Sequence, residues 1–268
     1  MTLENLSEQI RIKKSYLCVG LDTDLSKIPL FLQSSPGAIL NFNRQIIDVT
    51  KDLCVAYKIN TAFYEALGAK GWQIMQETCE YIPDTHFKIA DAKRGDIGNT
   101  SDQYAKAFFE VLQFDAITLS PYMGKDSISP FLKYPGKWGI VLGLTSNEGS
   151  KDFQQLETGN RYLYQEVIQK VASWGTPQNL MFVVGATKSD SIAEIRKIIP
   201  DYFLLIPGIG FQGGSLAEVS KAGLNNDGGL LVNVSRAIIY AGETQNFAEE
   251  ARSIAQQYQY EMSRFVKN

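Results

Sequence analysis

Histidine occurs once in the 268 residues, at His86, so a multi-histidine metal site cannot form within one chain. The three cysteines, Cys18, Cys54 and Cys79, form no CxxC pair and no zinc-ligand spacing. An odd, sparse count points to a reducing cytoplasm, with the thiols serving as small core residues. There is no excess of positive charge. A formal net charge of −3 argues against a broad nucleic-acid surface, which calls for a basic excess. No apolar run reaches the roughly 20 residues that a membrane helix needs. No Pro/Ser/Gly-rich linker divides the chain, and the first strand-like run ends Gly20-Leu21-Asp22 without a GxGxxG fingerprint. Residues 1–14 carry Leu3, Leu6 and Ile10 at helical spacing among polar residues, which predicts an amphipathic helix rather than a signal peptide.

What the chain does have is repetition of a short apolar run, a polar turn and a helix-like stretch. Eight runs read as strands: Tyr16–Asp22, Leu53–Asn60, His86–Lys93, Ala116–Pro121, Trp138–Thr145, Leu180–Thr187, Phe203–Gly210 and Leu230–Arg236. Their starts lie 22 to 42 residues apart, enough for a crossover helix in each gap. Between them, Ile39, Phe42, Ile46 and Val49 make one helical stripe, and Tyr162, Val167, Ile168 and Val171 approximate another. Most of the strand runs are almost continuously apolar, as in parallel strands covered on both faces. Eight such units without a linker predict a single α/β domain, a (β/α)8 TIM barrel over residues 1–268. An N-terminal helix takes residues 1–15, the barrel core 16–240 and a C-terminal helix 245–266.

Active sites of this fold collect where strands end and βα loops begin. The richest such end is the segment from His86 to Thr100. On a regular strand Phe87, Ile89, Asp91 and Lys93 share one face, with the charged pair outermost, and Asp96 follows on the loop after Gly95. Neighbouring carboxylates favour a protonated lysine. Lys58, at the end of the second run, would converge on the same mouth. A solvated salt-bridge cluster is the plainer account of this array. A second cluster leaves the seventh run as Pro207-Gly208-Ile209-Gly210-Phe211-Gln212-Gly213-Gly214, and the eighth run ends at Ser235-Arg236. Glycines admit an anion close to backbone N–H groups, and loops after strands seven and eight often hold a phosphate in barrels. A flexible turn beside a structural arginine is the alternative. His86 reads as a polar strand-start residue. Gly149–Asn160 is either a lid or an insertion.

Asp91-Ala92-Lys93-Arg94-Gly95-Asp96-Ile97 resembles the D-x-K-x-x-D-I signature of the orotidine 5'-phosphate decarboxylase family, in its bacterial subgroup with longer loops. Further matches follow in family order from residue 16 to 240: Gly20-Leu21-Asp22, Lys58, Thr145-Ser146-Asn147, the Pro207–Gly214 loop and Ser235-Arg236. The resemblance implies decarboxylation of orotidine 5'-monophosphate to UMP in de novo pyrimidine biosynthesis, without a metal or organic cofactor, by a cytoplasmic homodimer of barrels. It implies a charged catalytic set of Lys58, Asp91, Lys93 and Asp96, with Lys93 protonating C6. Asp96 and Thr100 would reach the partner subunit's site. Asp22 and Lys58 would meet ribose hydroxyls and Ser146 the pyrimidine amide edge. Gln212 and Arg236, with the backbone near Gly210 and Gly213, would hold the phosphate. No nucleic-acid or membrane partner is implied. Ser120 and Lys188 receive no role.

Two other readings compete. One is a different phosphosugar barrel lyase, either a Schiff-base aldolase on Lys58 or Lys93 or a Mg-dependent synthase. Carboxylates beside Lys93 count against the Schiff base, because they favour the ammonium over the nucleophilic amine. The other is a nucleotide-binding protein without catalysis, for which an intact charged set has little use.

Overall fold

Short β-rich runs bounded by polar turns pair in parallel and close on themselves. The computed structural model describes residues 1–186, 189–209 and 215–266. Its barrel strands are β1 (Leu17–Gly20), β2 (Ala56–Asn60), β3 (Phe87–Arg94), β4 (Ala116–Leu119), β5 (Trp138–Leu144), β6 (Leu180–Val184), β7 (Phe203–Pro207) and β8 (Leu230–Val234). Every neighbour pair is parallel, and β1 pairs with both β2 and β8 to shut the barrel. All eight expected strands are present; β3 runs one residue further than expected, to Arg94, and the others are shorter. A helix fills each crossover, from Ala38–Thr50 between β1 and β2 to Leu216–Gly223 between β7 and β8. The stripe Ile39, Phe42 and Ile46 is buried on the first of these, as its spacing requires.

The barrel floor is aromatic. Phe87, Trp138 and Phe203 open β3, β5 and β7, a layer drawn from alternate strands as this fold packs its interior. Trp138 meets Phe87 edge-on at 5.7 Å and Phe203 at 6.4 Å between ring centroids. Its indole N–H donates to the Met1 carbonyl at 2.9 Å, so the buried polar atom is satisfied. The N-terminal helix, α1 (Leu3–Lys13), buries Leu3, Leu6 and Ile10 against this end. Lys13 at its end donates to the carbonyls of Lys51 and Cys54, both at 2.8 Å, and lies 2.7 Å from His86 Nε2. His86 is therefore more than a strand-start residue: it is buried and forms part of a helix-to-barrel clasp. The three cysteines are free and buried. Among the described residues no helix is long and apolar enough to cross a membrane.

The C-terminal helix spans Phe247–Ser263. The segment Gly149–Asn160 carries secondary structure of its own. Ser150–Phe153 forms one helical turn, and Glu157–Thr158 pairs antiparallel with Arg161–Tyr162. Gln154 ties it to the barrel by accepting from the Thr145 amide at 2.8 Å.

Candidate active site

β1, β2 and β3 present their C-terminal ends side by side, with Gly20 in register with Lys58 and Asn60 with Asp91. That register brings four charged side chains together. Lys58 Nζ donates to Asp91 Oδ2 at 2.9 Å and to Asp22 Oδ1 at 3.3 Å. Lys93 Nζ donates to Asp91 Oδ1 at 2.6 Å. Asp91 therefore uses one oxygen for each lysine. The lysines differ sharply in exposure, 5% for the Lys58 side chain against 51% for that of Lys93. Lys58 is a buried strut, and Lys93 faces the open mouth.

The charges sustain each other. Burial pushes the Lys58 amine down, but Asp91 and then Asp22 outweigh it and leave it well above the ordinary lysine range. Burial also pushes the Asp91 carboxyl up, yet Lys58 and Lys93 hold it far below the usual carboxylate range. A lysine fixed in its charged form between two carboxylates is a poor nucleophile, so Lys58 does not suit a Schiff base.

The backbone beneath Lys93 departs from the regular strand that its spacing predicts. Ala90 pairs with Ile117 and Arg94 with Leu119, so four steps along β3 face two along β4. The surplus is a bulge, and Lys93 sits in it with φ +48°. That left-handed conformation costs a non-glycine residue roughly 1–2 kcal/mol. Asp91 and Lys93 still meet, through the bulge rather than through strict alternation. Gly95 serves a different need: a Cβ there would stand 3.1 Å from the Ser120 carbonyl oxygen.

Polar anchors set the β1 loop. The Tyr64 hydroxyl donates to the Leu21 carbonyl at 3.0 Å, and the Tyr240 hydroxyl to that of Asp22 at 3.0 Å. Ser235 donates to the Gly20 carbonyl at 3.1 Å, joining the ends of β1 and β8. A Cβ on Gly20 would lie 2.7 Å from that of Ser235, which explains a glycine at this position. Arg236 follows, exposed, at the start of the helical turn Arg236–Ile239. Ser146 is half-buried just beyond β5, where its backbone crowds Gly185.

Asp96 and Thr100 lie apart from this cluster. Asp96 Oδ1 accepts from the Ile97 amide at 2.8 Å, and among the described residues Asp96 makes no ion pair. Thr100 is exposed on the helix Gly98–Lys106. Gly210, Gln212, Gly213 and Lys188 lie outside the described residues. Among the described residues no group of three His, Cys, Asp or Glu side chains could hold a metal ion. Sequence reasoning missed two further contributors. Thr118 Oγ1 accepts from the Lys93 amide at 2.8 Å and donates to Asp91 Oδ1 at 3.0 Å. Arg94 pairs with Glu65 beneath the same bulge. A hydroxyl inside the apolar run Ala116–Leu119 was the only available hint of the first.

Fold and site together define a (β/α)8-barrel enzyme that carries paired lysines and aspartates at its C-terminal mouth. Residues 15–251 match the model of the orotidine 5'-phosphate decarboxylase / HUMPS family, and the chain belongs to that family. An orotidine 5'-phosphate decarboxylase from Flavobacterium johnsoniae is 58% identical over 269 residues, covering 99% of this chain and 98% of the relative. One from Bacteroides fragilis is 52% identical over 271 residues, covering 100% and 99%. Among solved structures, the Leishmania donovani OMP decarboxylase superposes with a TM-score of 0.82 at 38% identity, covering 97% of this chain and 99% of that one. The chain also matches the Leishmania donovani UMP synthase at TM-score 0.82 and 40% identity, with 96% of its own length and 56% of the synthase.

Proposed function

We propose that this chain is a carboxy-lyase that converts orotidine 5'-monophosphate to UMP and carbon dioxide. The observation that carries the reading is the alternating array Asp22, Lys58, Asp91, Lys93 at the mouth of the barrel, in a chain whose full-length relatives at 52–58% identity bear that activity in their names.

The chemistry follows from charge. When the C6–carboxylate bond breaks, carbon dioxide leaves and the electron pair stays on C6. That carbanion has no aligned π system to spread into, so a fixed ammonium beside it is the most effective stabiliser. Lys93 fills this role, then transfers a proton to C6 and is reprotonated from solvent. Asp91, 2.6 Å from Lys93, holds the ammonium in place, and Lys58 holds Asp91. Asp22 and Lys58 meet the ribose hydroxyls, Ser146 the amide edge of the base. Arg236 grips the phosphate with Gln212 and the backbone near Gly210 and Gly213. No metal or organic cofactor enters these steps.

Two barrels form the working unit, with Asp96 and Thr100 of each chain completing the site of its partner. Supporting this, Ile97, Tyr122, Met123 and Phe153 expose apolar side chains on the segments after β3, β4 and β5, with the Tyr122 and Phe153 rings 6.3 Å apart. Residues 1–268 act as one domain. The cytoplasm is its compartment, in keeping with three unpaired thiols.

The test is loss of the orotate absorbance on adding purified protein to orotidine 5'-monophosphate, with EDTA present. UMP should accumulate in step. Folded protein that leaves the substrate intact overturns the reading, and borohydride trapping of a sugar phosphate would point to the aldolase instead.

A further inference from the structure

A β-bulge has to find a partner for every amide it removes from the ladder. In β3 the affected amide is that of Lys93, which falls between the Ala90–Ile117 and Arg94–Leu119 pairs and has no register partner on β4. Thr118 takes it, through its side chain, at 2.8 Å. A threonine hydroxyl has one proton. With the Lys93 amide pointing at the oxygen, that proton is directed to Asp91 Oδ1, 3.0 Å away. The same Oδ1 receives Lys93 Nζ at 2.6 Å. The contacts form a closed ring: Lys93 amide to Thr118, Thr118 to Asp91, Lys93 ammonium to Asp91.

The surroundings leave this ring little freedom. Thr118 is buried, flanked by Ile117 and Leu119, so its hydroxyl cannot turn to water. Asp91 Oδ2 is occupied by Lys58 at 2.9 Å. Beyond the bulge, the Arg94 guanidinium donates back to the Ala92 carbonyl at 3.0 Å, pairs with Glu65 and lies over the Tyr104 ring at 5.4 Å. The Ser120 amide donates to the Arg94 carbonyl at 2.8 Å and restores the ladder. The left-handed turn at Lys93 is thus pinned on one side by a hydroxyl and on the other by a guanidinium.

We infer that Thr118 is a positioning residue for the decarboxylation: its hydroxyl locks the Lys93 backbone to the Asp91 carboxylate and so fixes the direction of the ammonium. The inference rests on the proposed role of Lys93, and it acts through that residue without touching substrate. A β-branched residue chosen only for strand packing would need no hydroxyl. Valine, of nearly the same shape, separates the two accounts.

Steady-state turnover, UMP affinity by calorimetry and thermal melting should be compared for the wild type, Thr118→Val and Thr118→Ser. The valine variant should lose about 100-fold in kcat, the effect of a misplacement near 1 Å, with KM and UMP affinity within about threefold. The serine variant, which keeps the hydroxyl, should return to within about threefold of wild-type kcat. Wild-type turnover in the valine variant, or a serine variant as slow as valine, overturns the inference. So does a parallel weakening of UMP binding, which would mark general damage. A crystal structure of unliganded Thr118→Val decides the point independently of activity. It should show Lys93 out of the left-handed region or Asp91 rotated from it, and an unchanged Asp91–Lys93 arrangement overturns the inference. An inactive wild type would instead overturn the proposed function.

Discussion

The two ends of the barrel each hold a lysine, and they use it in opposite ways. At the floor, the Lys13 ammonium has three donors and three neighbours: the carbonyls of Lys51 and Cys54 and the Nε2 of His86. Two carbonyls hold it, and what it does is clamp a helix to the barrel. At the mouth, Lys93 meets one carboxylate oxygen among the described residues and leaves half its side chain in the open. A lysine tied to carbonyls makes a strut, and one left half in the open can act on a ligand. At the floor burial disfavours the charged forms of the basic groups: Lys13 falls although Asp52 partly offsets it, and burial with the Lys13 charge takes His86 to about 4. At the mouth Lys58 and Asp91 hold each other in their charged forms.

The largest expected effect breaks the mouth alone. Lys93→Ala should reduce turnover by about 10⁴-fold or more while the protein melts near the wild-type temperature, since the lost side chain is half-exposed. Mixing Lys93→Ala with Asp96→Ala protein should recover part of the activity through hybrid dimers that hold one intact site. Confirmed subunit exchange without recovery would rule out a shared site. Asp91→Asn should strike both function and fold, because it leaves Lys58 buried with only Asp22 beside it. A loss of about 3 kcal/mol in urea unfolding is expected, along with turnover. Unchanged stability would mean that Lys58 is not held by that pair.

The smallest effect belongs to the floor and appears only in acid. The folded-state value of His86, about 4, lies below its unfolded value of 6.5, so between these values the unfolded chain binds more protons. The stabilisation is complete above pH 6.5 and is lost as pH falls toward 4, by up to about 3 kcal/mol. His86→Gln should flatten that part of the stability curve and leave kcat at neutral pH unaltered. Parallel curves for the two proteins from pH 7 to 4.5 would show that His86 does not carry the acid sensitivity.

Much of this was legible before any coordinates. Eight apolar runs spaced for crossovers implied a barrel because parallel strands buried on both faces have few other ways to close. Lys58, Asp91 and Lys93 could be expected at one mouth because each ends a strand. The plainer account of that array, a solvated surface cluster, fails on the burial of Lys58 and Asp91. The bulge was not legible. Spacing by twos predicts that Asp91 and Lys93 align through a regular strand, and nothing local in Asp91-Ala92-Lys93 announces a left-handed lysine. Thr118 was hidden for a related reason: a threonine in a strand looks like a strand former, and its importance lies in a residue 25 positions away. His86 likewise owes its state to burial and then to the Lys13 charge, whose approach no helical stripe predicts.

The scarcity noted at the outset has a structural counterpart. One histidine, three isolated thiols and no basic excess removed multi-histidine metal sites within one chain, disulfide frameworks and broad polyanion surfaces, because those features need numbers of residues that the chain does not possess. Local patterning then determined the elements and which charged residues stood at their ends. Only the closed barrel decided which of those charges would be buried struts and which would stay open to a ligand. That choice depends on register between strands distant in sequence and on the acceptors they bring along, quantities that no single segment encodes.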